Sequence, residues 1–284
     1  MRDLDGRVAV ITGAGSGLGR ALAHQCAQAG MRLALADVDE PGLAETAAQL
    51  GDGVARFTRR VDVSKRDAVE GLAEETYATF GAAHVVFNNA GVGALGPTWT
   101  TTAEDWTWVL GVNLMGVVHG VQAFVPRMLA SQAPGHIVNT ASLAGLVSSP
   151  GSSVYCVSKF GVVTLSECLH HELTQANAPI GVSCLCPAFF KTGIAEAERN
   201  RPAELANANP GARPYLDGVR AALEAGKLTA TEVAAKTMDA VREGRFYVLP
   251  HEGAYKQVEL RMQDILQGRL PTNPLNPPRR EETP

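Results

Sequence analysis

Tyr155 and Lys159 stand four residues apart in the run Tyr155-Cys156-Val157-Ser158-Lys159. A helix places such a pair on one face, one turn apart. A free phenol titrates at about 10, and a lysine charge beside it favours the phenolate. A tyrosine so placed can take a proton from a hydroxyl, or give one to a carbonyl oxygen, near neutral pH. The same spacing is common on solvated helix surfaces, so the pair implies chemistry only if other groups converge on it. Ser142 ends a preceding apolar run, where a hydroxyl can bond a substrate oxygen and steady developing charge. Cys156 reads as a small packed residue, because no histidine is patterned to activate it. His170-His171 reads as a helix surface pair, since adjacent residues on a helix point in different directions.

A second constellation lies near the N-terminus. Thr12-Gly13-Ala14-Gly15-Ser16-Gly17-Leu18-Gly19 closes an apolar run and opens an amphipathic one. Glycines here permit a tight turn and close approach of a pyrophosphate, which the following helix N-terminus meets with free N–H groups. Gly13, Ser16, Gly17, Leu18 and Gly19 are therefore candidate dinucleotide contacts. The next apolar run ends at Asp37, the acidic position expected about 20 residues beyond the glycines. Its carboxylate would accept hydrogen bonds from ribose hydroxyls and repel a 2′-phosphate, and Val38-Asp39-Glu40 supplies no compensating base. The expected cofactor is NAD.

These groups need a scaffold. The chain has 284 residues, 45% of them hydrophobic and 19% charged, which suits a globular α/β chain with a sizeable core. Strand-like runs at residues 8–12, 32–37, 55–63, 84–89, 136–142, 180–187 and 245–250 alternate with helical patterns such as 17–30 and 65–80. The pattern predicts an α/β fold, a Rossmann-type doubly wound parallel seven-stranded sheet with helices on both faces. One such domain is expected over residues 1–250. A lid insertion at about 188–228, where Pro202, Pro210 and Pro214 interrupt any pattern, is expected within it. Residues 251–284 form an extension, Pro-rich at its end.

The net charge of −4 argues against a nucleic-acid surface. The apolar stretch near 108–129 is broken by Asn113, His119 and Gln122, so no membrane span is expected. Five scattered cysteines look reduced rather than bridged. Cys184 and Cys186 share a strand face but have no partner pair, so no metal site is expected. With a polar N-terminus leading into a strand, these features predict a cytoplasmic protein.

Taken together the motifs resemble the short-chain dehydrogenase/reductase superfamily, over residues 7 to about 250. Thr12–Gly19 resembles its nucleotide motif, and Ser16 stands where its NADP-preferring members often carry a base. Asp62-Val63 resembles the pair that holds the adenine amino group. Asn88-Asn89-Ala90-Gly91 resembles the cofactor-lining motif of the fourth strand, giving Asn89, Ala90 and Gly91 as further contacts. The resemblance puts Asn113, Ser142, Tyr155 and Lys159 in the catalytic tetrad, with Asn113 holding a water in a proton path from Lys159, and Lys159 also bonding the nicotinamide ribose. Pro187 and Thr192 match residues beside the nicotinamide. The family commonly has Pro-Gly where this chain has Pro187-Ala188, so the loop there is expected to run differently. Shorter runs, including Phe124-Val125-Pro126-Arg127-Met128, resemble a bacterial branch containing the Cα-dehydrogenases of lignin-derived aryl ethers.

The resemblance implies hydride transfer between nicotinamide and a small alcohol or ketone. The expected pocket residues, Ala144, Leu146 and Phe189 with Val92, Leu95 and Ile194 nearby, are mostly apolar, favouring a lipophilic or aromatic secondary alcohol. Lys191, Arg199 and Arg201 could instead bind a carboxylate. Residues 103–131 and 153–176 carry long apolar faces, and in the family this chain resembles these helices pack between subunits, which implies a homodimer or homotetramer. The alternatives are an NADP-linked carbonyl reductase and a non-catalytic dinucleotide sensor, with a sugar-nucleotide epimerase fitting less well.

Overall fold

The computed structural model describes residue 1, residues 3–207, residue 209 and residues 211–276. The Pro- and Arg-rich end beyond 276 lies outside the described residues. The first half of the chain alternates β1 (Val8–Thr12), α1 (Gly17–Gln28), β2 (Arg32–Asp37), α2 (Glu40–Gln49), β3 (Arg56–Arg60), α3 (Arg66–Phe80) and β4 (Val85–Asn88). It continues through α4 (Ala103–Leu110), α5 (Gly116–Ser131), β5 (Gly135–Thr140), α6 (Ser153–Gln175) and β6 (Ile180–Leu185). The remainder is α7 (Arg213–Glu224), α8 (Ala230–Glu243), β7 (Tyr247–Val248) and α9 (Ala254–Leu266).

The strands form one seven-stranded parallel sheet in the order β3-β2-β1-β4-β5-β6-β7. Successive strand residues face opposite sides, and two cores result. Ala9, Ile11, Leu33, Leu35 and Phe87 pack under α1 and α8 with Leu22, Val233 and Met238. Val10, Ala34, Val86 and Ile137 pack on the other face with Leu72, Phe124 and Leu169. Burial of both faces is why the strands read as continuous apolar runs. The sheet order reverses between β1 and β4, and the cleft opens at the carboxyl ends there, as expected of doubly wound sheets.

Several expected strands are shorter in the structure. The runs at 55–63, 136–142 and 180–187 leave the sheet at Arg60, Thr140 and Leu185. Val61, Val63, Ala141 and Cys186 remain buried after pairing ends, so hydrophobicity alone does not mark the edge. Residues 103–131 form α4, a π-helical turn over Gly111–Met115, and α5. An 18-residue window within this stretch has a mean hydropathy of 1.5 and meets the length and composition of a membrane span, contrary to the reading from the three polar residues. Just over half of that window is buried inside the protein, as in a core helix.

The 188–228 segment is also more ordered than its prolines suggest. It holds 3-10 turns at Gly193–Asn200 and Ala203–Leu205, then α7. Pro214 lies in the first turn of α7, where a missing N–H costs nothing. Tyr215 packs so closely on Gly151 that a β-carbon there would fall 1.9 Å from its ring.

Candidate active site

The glycine loop is built for backbone approach. Gly13 and Gly17 have φ of +68° and +50°. A β-carbon on Gly19 would stand 1.9 Å from the Gly13 carbonyl oxygen, and one on Gly13 would stand 2.9 Å from Ala90 Cα. Helix α1 begins at Gly17, so its free first-turn N–H groups meet the cleft. This cradle, which side chains would fill, fits a dinucleotide pyrophosphate. The Asp37 carboxylate is fixed beside it, accepting hydrogen bonds from Gly15 N (2.8 Å) and Asp39 N (3.0 Å).

Two bases near Asp37 are visible only in three dimensions. Arg20 donates to the Gly15 carbonyl (2.6 Å) and pairs with Glu45 (2.7 Å). Arg60 is the parallel partner of Asp37 on β3 and lines the cleft, 3.9 Å from Glu40. Each of these bases stands beside a carboxylate, Arg20 with Glu45 and Arg60 with Glu40.

Thr12 ties β1 to β4. Its hydroxyl accepts from Asn89 N (2.9 Å) and Ala90 N (3.1 Å), while Asn89 Nδ2 donates to the Thr12 carbonyl (2.9 Å). Asp62 Oδ1 accepts from Ser64 N (2.9 Å) and Ser64 Oγ (2.7 Å), which fixes the carboxylate at the cleft wall. Thr192 stands over the start of α1, where a β-carbon on Gly17 would lie 3.7 Å from its own β-carbon. The cleft brings together Gly13, Ser16, Gly17, Leu18, Gly19, Asp37, Asp62, Val63, Asn89, Ala90, Gly91, Pro187 and Thr192 with Ser142, Tyr155 and Lys159.

Asn113, expected to hold a water in a proton path from Lys159, stands near that lysine: a β-carbon on Gly91 would lie 3.5 Å from both Asn113 Oδ1 and Lys159 Nζ. Asn113 lies in the π-helical turn, fully buried. Oδ1 accepts from Val92 N (2.8 Å), and Nδ2 donates to Val92 O (2.9 Å) and Ser158 Oγ (3.0 Å). Both amide donors bond protein groups, so the side chain buckles the loop after β4 to α6.

Ser142, Tyr155 and Lys159 meet on the cleft floor. Lys159 Nζ donates to the Thr140 carbonyl (2.8 Å) and lies 5.7 Å from the centre of the Tyr155 ring. Ser142 Oγ donates to the Pro187 carbonyl (3.3 Å) and accepts from Ala144 N (3.1 Å). The expectation of a lowered tyrosine pKa is not met in the free protein. Burial pushes the Tyr155 phenol up to about 12, against an opposing hydrogen-bond contribution from Ser142. Burial brings the Lys159 ammonium down to about 8. The physical cause is burial, which disfavours both charged forms.

Beyond these residues the cleft, 1410 Å³ in all, widens against Leu143, Val147, Trp108, Phe189, Ile194 and Val219. It exceeds the roughly 300–1,000 Å³ of a single-ligand pocket, leaving room for a second molecule beside a dinucleotide. Ala144 and Phe189 line it as expected. Leu146 does not: it packs outside the cleft, against the clusters around Val163 and Ala254. The turn over Leu143–Gly145 rotates Leu143 and Val147 inward in its place.

Arg201 also departs from expectation. Its side chain, 5% exposed, bonds Asp105 at 2.7 Å, which is 2% exposed, and Glu198 at 2.7 Å. Its guanidinium stacks 4.2 Å from the Trp108 ring centre. With its charge so matched, it fastens the 193–207 segment to α4 rather than offering a carboxylate site. Lys191 is exposed outside the main cleft, and Arg199 bonds the Gly193 and Glu196 carbonyls of its own turn.

Cys184 and Cys186 Sγ atoms lie 3.7 Å apart, buried, and the Cys186 thiol is pushed well up by its neighbour and by burial. Among the described residues, no three His, Cys, Asp or Glu side chains group to hold a metal.

Residues 7–203 match the short chain dehydrogenase family, and the chain belongs to the short-chain dehydrogenase/reductase superfamily. A member from Burkholderia phymatum, solved in complex with NAD, superimposes with a TM-score of 0.95 at 49% identity, covering 97% of this chain and 100% of that one. A C alpha-dehydrogenase from Sphingobium sp. strain SYK-6 is 34% identical over 278 residues, 95% of this chain and 89% of that protein. LigD in its apo form, from the same strain, superimposes with a TM-score of 0.78 at 31% identity, covering 95% of this chain and 100% of that one. The chain thus resembles the Cα-dehydrogenase branch as well as the wider superfamily.

Proposed function

We propose that this oxidoreductase transfers a hydride between NAD and a lipophilic or aromatic secondary alcohol or ketone, with Tyr155 as general acid/base. The observation that carries this reading is one continuous cleft. It begins at the glycine loop and Asp37, passes Ser142, Tyr155 and Lys159, and ends in a mostly apolar wall. NAD is favoured over NADP because the Asp37 carboxylate, locked by Gly15 N–H, faces the place of a 2′-phosphate.

Bound NAD supplies the hydride acceptor or donor. Ser142 Oγ, whose single proton lies toward the Pro187 carbonyl in the free protein, turns that proton to the substrate oxygen, orienting that oxygen and stabilising its developing charge. Tyr155 Oη takes the hydroxyl proton in oxidation and returns it in reduction. Lys159 supplies positive charge that favours the phenolate as the site closes, and hydrogen-bonds the ribose. Asn113 braces the loop after β4 and, in the role the family resemblance implies, holds a water in a proton path from Lys159. Exposed Val157 and Met115 on and beside the apolar helices α6 and α5 support a homodimer or homotetramer, and a cytoplasmic location remains part of this reading.

The test is nicotinamide absorbance with NAD and NADP across benzylic, steroid, aliphatic and polyol alcohols. Turnover with NAD on an apolar class is expected. Tyr155→Phe should lower kcat by about 10²–10⁴ while NAD still binds. Alcohol oxidation should accelerate toward alkaline pH as Tyr155 loses its proton, and ketone reduction should slow. Better turnover of polyols than of apolar alcohols, or an active Tyr155→Phe variant, would sink the reading.

A further inference from the structure

His251 follows the last strand, in a stretch that carries none of the motifs above. Its ring reaches back to the loop after β6, and Nδ1 accepts a hydrogen bond from Ala188 N at 3.1 Å. The Pro187 carbonyl accepts from Leu143 N (2.8 Å) and from Ser142 Oγ (3.3 Å). That carbonyl and the Ala188 N–H belong to one peptide group. The peptide is therefore held at its N–H by His251 and at its oxygen by the residues that begin the catalytic turn. A planar peptide turns as a unit, so rotation that released the N–H would also swing the oxygen away from Ser142.

We propose that His251 is a positioning residue that acts through the Pro187–Ala188 peptide to aim the Ser142 hydroxyl; this rests on the function proposed above. Three further observations bear on it. The donor at Ala188 requires an unprotonated Nδ1, so the neutral ring carries its proton on Nε2. Among the described residues, the buried Nε2 has no hydrogen-bond partner. Burial, aided by the Lys236 charge on α8, holds the ring's pKa below its ordinary value, against an opposing contribution from the Phe189 backbone. The ring stays neutral and able to accept. Phe190, buried and with its ring centre 6.3 Å from that of His251, packs the same loop from below.

Ala188 is not among the positive-φ residues, and the His251 bond fixes the orientation of its peptide. His251 is a link between the C-terminal extension and the reacting centre, made without touching substrate.

The test combines kinetics with a spectroscopic reading of the unaltered protein. His251→Leu removes the acceptor, and His251→Asn offers an amide oxygen in its place. We expect His251→Leu to lower kcat about tenfold with NAD affinity, read by tryptophan fluorescence, within about twofold of the parent. His251→Asn should recover most of kcat. His251→Leu combined with Ser142→Ala should be no slower than Ser142→Ala alone, since both act on one group. Multiplying losses, or an unchanged His251→Leu, would overturn the proposal. If His251→Leu fails to fold, ¹⁵N NMR of histidine-labelled protein decides: a proton on Nε2 with Nδ1 accepting supports the bond, and a proton on Nδ1 overturns it. Absence of turnover in the parent protein would count against the dehydrogenase reading alone, because the NMR measurement needs no substrate.

Discussion

The two ends of the cleft are held by different physics. At the cofactor end, from β1 to the loop after β3, backbone lies against backbone: Gly13, Gly19 and Ala90 approach so closely that a single methyl group has no room. At the substrate end, the 193–207 segment is joined to α4 by a few long side chains, chiefly Arg201 between Asp105, Glu198 and Trp108. Asn207 adds bonds to Thr102 and Asp105 (2.8 and 2.9 Å). The first arrangement fixes one ligand shape and tolerates almost no substitution. The second sets where that segment sits while leaving the apolar wall free to vary. A fold that keeps one cofactor and changes substrates requires that division.

The comparison breaks most sharply at Gly19. Gly19→Ala would push a methyl group against the Gly13 peptide oxygen, an obstacle that exceeds the roughly 1–3 kcal/mol of ordinary overpacking. Dinucleotide binding, measured by titration, should be abolished. An unchanged Kd would mean that the loop is less constrained than its geometry implies.

Next in size is Arg201→Met, which leaves the Asp105 carboxylate buried without its cation, at a cost of about 3–5 kcal/mol. The 193–207 segment should detach before the sheet unfolds. Hydrogen exchange of residues 193–207 should rise and KM for the alcohol should increase, with NAD affinity unchanged. Coupled loss of NAD affinity would show that the two ends are not independent.

A smaller effect, remote from both ends, comes from His136. It is buried at the start of β5, its Nε2 at 2.8 Å from Ser183 Oγ, and burial lowers its pKa to about 4. In the unfolded chain it titrates at about 6.5. The unfolded state therefore binds the proton first. The stabilisation is full above about pH 6.5, is lost as pH falls toward 4, and amounts to about 3 kcal/mol at 1.36 kcal/mol per unit. His136→Gln should flatten the acid limb of a denaturation-midpoint profile. An equally steep limb would assign it to other groups.

Much of the cofactor end was legible in the chain because its determinants are local. Strand β1, the glycine turn and α1 follow one another, and β2 ends at Asp37 where the motif requires. Tyr155 and Lys159 were legible for the same reason, one helical turn apart. The substrate end was not. Arg201 and Asp105 are far apart in the chain, and nothing near either one marks the other as its partner. Leu146 read as a pocket residue because a 3-10 turn and an extended loop look alike in sequence. His251 carried no signal except its place just after the last strand.

By itself, then, the sequence determined the order of strands and helices, the close-packed glycine cradle and the types of group available for proton transfer, because periodicity and neighbouring residues encode them. Only the tertiary structure decided that burial holds Tyr155 and Lys159 in their uncharged directions, that Arg201 is neutralised, and that His251 stands behind the peptide bonded to Ser142. Those outcomes depend on desolvation and on contacts between distant segments, which exist only once the chain has closed on itself.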